Sequence, residues 1–78
     1  MREKKPALVI TFHTTTEAMA MERFCMEHCL PGRLIPVPRE ITSGCGLAWK
    51  AAPEEKAALA GQMREAGLHW EQMYTIQI

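Results

Sequence analysis

Hydrophobic residues recur along this chain at two kinds of spacing, which together predict six secondary-structure elements. Short runs rich in β-branched and aromatic residues, or with apolar and polar residues partly alternating, predict strands. Apolar residues three and four positions apart predict helices with one buried face. The predicted strands cover residues 7–12, 33–37, 46–51 and 68–78, and the predicted helices cover residues 16–28 and 53–66.

Residues that start and stop helices mark the ends of these elements. The threonines at 14–16 offer a capping hydroxyl to the first helix, which Pro31 and Gly32 stop. Pro53 suits the first turn of the second helix, and Gly67 ends it. Both helices therefore have definite predicted limits.

The element order strand, helix, strand, strand, helix, strand predicts an α+β ferredoxin-like fold, β-α-β-β-α-β. In that fold a four-stranded antiparallel sheet carries both helices on one face. Pro36 and Pro38 cannot donate hydrogen bonds to a ladder, so the second strand is expected at an edge or end of the sheet. Matching the two halves places Cys29 where the second half has Gly67, so Cys29 is expected to terminate a helix rather than fill the core.

Length and charge narrow the classes of function. The 78 residues predict a single domain, 1–78, with a flexible N-terminal arm at residues 1–6. Nine basic and nine acidic residues give a formal net charge of zero, which argues against nucleic acid as a partner. A domain this small buries a modest fraction of its surface, so a homodimer would be unsurprising.

The expected compartment is the cytoplasm. The apolar run at residues 7–12 is far shorter than the roughly 18 residues that suggest a membrane span, and no secretory cleavage signature accompanies it. Three cysteines is an odd number, which without an export signal favours free thiols over a disulfide framework. We therefore expect no membrane association.

Cys45 lies between Gly44 and Gly46, and this is the pattern most suggestive of chemistry. Glycines on both sides remove side-chain bulk and allow backbone angles closed to other residues, so a second molecule can approach the sulfur. The competing interpretation is that Cys45 is a small apolar filler. We favour a functional, nucleophilic thiol.

Neighbouring residues could assist such a thiol. Arg39 and Arg33 are the nearest upstream cations, and a cation or a set of backbone N–H groups stabilises a thiolate. Thr42 and Ser43 offer hydroxyls to a thiolate or a substrate atom, although loops also use such residues for turn geometry. The candidate binding residues are Arg39, Thr42, Ser43, Gly44 and Gly46.

Other chemistry finds weaker support in the sequence. Cys25, His28 and Cys29 could form half of a metal site, but no second paired motif completes a tetrahedron, so no metal is predicted. His13 and His69 could be bases near a pocket, or simply exposed strand ends. Nothing resembles a serine triad, a carboxylate pair or a nucleotide-binding loop, so we expect no cofactor and no acid–base machinery of an enzyme.

Residues 33–48 carry a family resemblance, most specific where Leu-Ile-Pro-Val-Pro is joined to Ser-Gly-Cys-Gly. Over roughly residues 7–76 the chain resembles the DUF3343 family, described as selenium or sulfur carrier-like proteins. The resemblance implies that Cys45 is the carrier thiol and that donor and acceptor proteins are its partners. The family more often has a small residue such as glycine at position 29 and an aliphatic residue at position 25, so Cys29 and Cys25 inherit no role.

Three hypotheses follow. In the first, the protein is a carrier that holds a persulfide or perselenide on Cys45 and passes it to a partner. In the second, it is a non-catalytic ligand-binding or protein-interaction module of ferredoxin-like fold. The third, ranked below both, is a thiol redox sensor in which Cys45 forms a disulfide with Cys29 or with a second chain.

Overall fold

A computed structural model describes residues 5–41 and 45–78 of the chain. Within these residues the elements follow the predicted order. The strands are β1 (Pro6–Thr11), β2 (Arg33–Pro36), β3 (Leu47–Ala51) and β4 (Gln72–Gln77), and the helices are α1 (Thr15–Glu27) and α2 (Lys56–Ala66), the latter preceded by a 3₁₀ turn (Pro53–Glu55).

The four strands form one antiparallel sheet in the order β2-β3-β1-β4. This is the ferredoxin-like arrangement that the sequence predicted. β2 lies at an edge of the sheet, as expected from its prolines, because Pro36 has no N–H to give to a further strand.

The main core lies between the sheet and the two helices. Alternate residues of β1, Leu8 and Ile10, point to this inner face and are fully buried. Met21 of α1 and Leu59 of α2 meet them in the same cluster, so both helices cover one face of the sheet. Strand residues that alternate between the two faces of the sheet and helix residues spaced three or four apart thus meet in one interior.

The opposite, outer face of the sheet has its own apolar cluster. Val9 and Ala48 are completely buried there, together with Ile41 from the connection between β2 and β3. Half-buried apolar side chains surround these three: Ile35, Val37, Tyr74, Ile76 and Ile78. The β2–β3 connection therefore packs onto a face that the helices do not cover.

Both helices end in the same hydrogen-bonded motif. The Leu30 N–H donates to the Cys25 carbonyl at 2.8 Å, and the Leu68 N–H donates to the Met63 carbonyl at 2.9 Å. The residue before each leucine is left-handed, with φ +53° at Cys29 and +73° at Gly67. The prediction that Cys29 terminates α1 is confirmed.

The N-terminal residues that the structure describes are tied to the C-terminus. Lys5 and Ile78 exchange backbone hydrogen bonds of 3.4 and 3.1 Å, and Pro6 is the first residue of β1. Residues 1–4 of the predicted arm lie outside the described residues. Neither described helix has the length and apolar character that crossing a membrane requires.

Candidate functional site

Cys45 lies just before β3, and its sulfur turns back onto the strand. The Leu47 N–H donates a hydrogen bond to Cys45 Sγ at 3.4 Å, and Sγ lies 3.4 Å from the Leu47 carbonyl oxygen, to which the thiol can donate. The residue is half-buried and packs against the edge of the inner core. Its sulfur therefore contacts the backbone while the residue stays partly exposed to solvent.

Gly46 provides the backbone bend that brings the Leu47 N–H to this sulfur. It has φ +76°, a left-handed conformation that favours glycine. A Cβ at position 46 would find nothing within 4 Å, so glycine is needed there for its backbone angles rather than for space. The Gly46 carbonyl also accepts from the Val37 N–H at 3.0 Å, which extends the β2–β3 ladder to the residue beside Cys45.

The segment that leads to Cys45 is fixed at its start. The Ile41 N–H donates to the Pro38 carbonyl at 3.0 Å in a turn, and the Ile41 side chain is only 8% exposed against the outer face. Arg39 lies exposed within this turn. Thr42, Ser43 and Gly44, three of the predicted binding residues, lie outside the described residues.

Cys45 lies at the end of the sheet where α1 begins. β1 and β2 end here and β3 and β4 start here, since Thr11 pairs with Ala48 and Gln72 while Pro36 pairs with Leu47. Arg33, by contrast, pairs with Lys50 and lies toward the opposite end of the sheet. The suggestion that Arg33 assists Cys45 is therefore wrong, because the length of β2 intervenes.

His13 at the same end takes part in starting α1. The Glu17 carboxylate accepts from the His13 backbone N–H at 2.7 Å and lies 3.2 Å from its Nδ1, while the Glu17 N–H donates to the Thr14 hydroxyl at 3.2 Å. Desolvation raises the pKa of Glu17, but hydrogen bonds from the His13 backbone and side chain, with smaller help from Thr14, outweigh it and lower the pKa below 4.5. His13 is thus engaged in capping the helix.

His69 does not begin a strand. It is exposed and precedes β4, which starts at Gln72 rather than at Leu68 as predicted. The Glu71 N–H donates to the Thr11 carbonyl at 2.7 Å, and the regular pairing of β4 with β1 starts at the next residue, Gln72, opposite Thr11. Leu68 and Trp70 instead pack against the inner core, which explains their apolar character without a strand.

The other two cysteines differ sharply from Cys45. Cys25 is 1% exposed in the inner core, and burial raises the pKa of its thiol to about 11. Cys29 is exposed beyond the end of α1. Since only the thiolate is nucleophilic, burial makes Cys25 unreactive.

Cys29 is also poorly placed to resolve a disulfide with Cys45. Cys29 lies four residues before β2 begins, whereas Cys45 follows the connection that leaves the other end of β2. The four residues of β2 alone span about 10 Å. A disulfide needs Cα atoms within about 7 Å, so an internal Cys29–Cys45 bond does not fit this fold.

Sequence reasoning singled out Cys45 and Gly46 as candidates, but it did not single out two described residues that hold this segment in place. Ile41 anchors the segment on the outer face, and Leu47 supplies the backbone groups that contact the sulfur. The sequence signal for Ile41 was an apolar residue with polar neighbours on both sides, Arg39 and Glu40 before it and Thr42 and Ser43 after it. No group of three or more possible metal-binding side chains occurs within the described ranges 5–41 and 45–78.

A family model described as "Putative Se/S carrier protein-like" matches residues 7–75. This span includes Cys45, both helices and strands β2 and β3. It also includes all of β1 except Pro6 and all of β4 except Ile76 and Gln77. No curated protein and no solved structure matches the chain.

Proposed function

The chain belongs to the Se/S carrier-like family, DUF3343, and we propose that Cys45 is the thiol that carries the sulfur or selenium. The observation that supports this assignment best is the hydrogen bond from the Leu47 N–H to Cys45 Sγ. Left-handed Gly46 aims that donor at the sulfur, which holds the Cys45 side chain in one orientation at the start of β3.

Partial burial suits a carrier better than either extreme. A fully buried thiol such as Cys25 cannot meet a partner protein, and a fully exposed one gives its cargo no protection from water. Cys45 rests against the inner core while remaining partly open to solvent. Exposed Arg39, with Thr42, Ser43, Gly44 and Gly46, forms the proposed surface around the incoming donor.

The proposed transfer needs no redox cofactor. The Cys45 thiolate attacks the outer sulfur of a persulfide on a donor protein; the new S–S bond forms as the donor's S–S bond breaks, and the donor leaves as a thiolate. A nucleophile on the acceptor then attacks the outer sulfur of Cys45–S–SH, which returns Cys45 to a thiolate. Selenium transfers in the same way through a perselenide.

Such a carrier needs no general acid or base of its own, because donor and acceptor supply the chemistry. His13 already contacts Glu17 in the cap of α1, and no role in transfer is assigned to it. The proposed partners are therefore a sulfur or selenium donor protein and an acceptor protein. The proposed place of action is the cytoplasm.

Mass spectrometry after incubation with a cysteine desulfurase and cysteine tests the proposal. Wild-type protein should gain the mass of one sulfur atom, and a thiol reductant should remove it. Cys45→Ser should gain nothing, while the matched variant Cys29→Ser should load as wild type does. A repeat with a selenium donor identifies the cargo.

Two results would contradict the carrier assignment. One is loading that persists in Cys45→Ser, and the other is wild-type protein that loads with neither element. Alkylation rates then separate the alternative of a non-catalytic binding module. A carrier thiol should react with iodoacetamide faster than exposed Cys29, which serves as an internal standard, whereas a structural filler should react more slowly.

A further inference from the structure

Strand β4 forms an edge of the sheet with one side unpaired by any described residue. Ile78 exchanges both backbone hydrogen bonds with Lys5. Antiparallel pairs alternate along a ladder, so Tyr74 and Ile76 also direct their N–H and C=O groups toward β1. Met73, Thr75 and Gln77 direct theirs outward, away from the sheet.

The two edges of the sheet are protected very differently. β2 has four residues and ends in Pro36, and both shortness and proline discourage a further strand. β4 has six residues, and from Gln72 to Ile78 it has no proline and no charged side chain. An uncharged, regular edge strand of this length is a ready template for pairing.

We propose that β4 pairs antiparallel with β4 of a second copy, about a two-fold axis at Thr75. Thr75 then lies opposite the partner's Thr75, and Met73 opposite the partner's Gln77. These are the residues whose backbone groups point outward, so each pair can exchange hydrogen bonds across the axis. The two sheets become one continuous sheet.

Side chains on the outer face complement each other in this register. Tyr74 lies opposite the partner's Ile76, in the non-hydrogen-bonded pair where side chains approach closest. An aromatic residue facing a β-branched residue is a favourable cross-strand pair. Tyr74 and Ile76 belong to the half-buried rim of the outer cluster, so pairing joins the two clusters into a longer apolar surface.

Self-complementarity favours a second copy over an unrelated extended peptide. In a two-fold dimer each side chain of β4 packs beside a side chain from an identical strand. Residues 72–78 carry no charged side chain, so no two like charges on side chains face each other at any position. The Cys45 site lies beside β3, which β1 separates from β4. Pairing at β4 therefore leaves that site open, and the inference stands apart from the carrier proposal.

Sedimentation equilibrium with charge variants at position 75 tests the pairing. Wild-type protein should approach twice the 8.8 kDa of one chain as its concentration rises. Thr75→Lys and Thr75→Glu should each raise the dimer dissociation constant by about fivefold, since like charges then face each other across the axis. An equimolar mixture of the two variants should recover dimer formation, because Lys then faces Glu.

Matched variants distinguish pairing from a general loss of stability. Thr75→Gln has nearly the shape of Glu without its charge and should dimerise almost as wild type does. Cys45→Ser should dimerise as wild type does, whatever becomes of its cargo. The inference is overturned by wild-type protein that stays at the monomer mass, by a dimer indifferent to charge at position 75, or by a mixture that fails to recover.

Discussion

Replacing Cys29 with glycine should stabilise the protein. Cys29 has φ +53°, where a residue with a Cβ is strained and glycine is not. The backbone hydrogen bonds that end α1 from Cys29 to Met26 and from Leu30 to Cys25 do not involve the side chain, so the change keeps them. The thiol is exposed, so its removal sacrifices little apolar burial.

The size of the gain follows from two opposing effects. Left-handed geometry costs an L-residue about 1–2 kcal/mol, which glycine recovers. Glycine also makes the unfolded chain more flexible, which favours unfolding and offsets about 0.5–1 kcal/mol of that gain. The net stabilisation should be about 0.5–1 kcal/mol, or roughly 2–8 °C in melting temperature for a domain of this size.

Urea unfolding under reducing conditions measures the effect. The midpoint should rise with an unchanged slope, which marks a change in stability rather than in the extent of unfolding. Cys29→Ala keeps the Cβ and should change stability little. Gly67→Ala, at the equivalent end of α2, has φ +73° and should lose about what Cys29→Gly gains. Equal stabilisation by alanine and glycine at position 29 would refute the backbone explanation.

Two further changes test other parts of the structure. Gly32→Ala should destabilise the protein by about 2–4 kcal/mol in the same urea assay. A Cβ at position 32 would overlap the Trp49 indole and come within 2.6 Å of the Lys50 carbonyl oxygen, and the φ of +114° disfavours any L side chain. Unchanged stability would contradict this packing. Glu17→Gln should cost about 0.5–1 kcal/mol at neutral pH. Because the pKa of Glu17 is lowered in the folded protein, its carboxylate stabilises the fold above pH 4.5, and this stabilisation is lost as pH falls through the folded-state pKa. The melting temperatures of wild type and Glu17→Gln should therefore converge in acid. A difference in melting temperature that persists in acid would exclude the charge as its cause.

Local sequence rules predicted the elements and their order because each has a strong local signal. The β-branched run of β1, the proline-bearing edge strand β2 and the glycine that ends α2 are examples. The rules placed the start of β4 too early, because Leu68 and Trp70 look like strand residues. Their apolar character instead serves packing against the inner core.

Contacts between distant segments were beyond such rules. Trp49 Nε1 donates to the Pro31 carbonyl at 3.1 Å, and its indole occupies the space beside Gly32. The sequence assigned Pro31 and Gly32 only to ending α1. Likewise, the sequence marked Cys45 by its glycines, but the hydrogen bond from the Leu47 N–H depends on the φ of Gly46 in the folded chain.

The two faces of the sheet each hold one end of the segment that contains the proposed carrier thiol. Ile41 is packed on the outer face and Cys45 against the inner core, while Gly46 is bonded to Val37. Only three residues separate Ile41 from Cys45, and Gly46 follows Cys45 directly. Cys45 therefore cannot travel far while Ile41 stays packed in its cluster and Gly46 stays bonded to Val37. Cargo would then be presented at a fixed position instead of on a swinging arm, and the partner proteins would have to bring their own reacting groups to it.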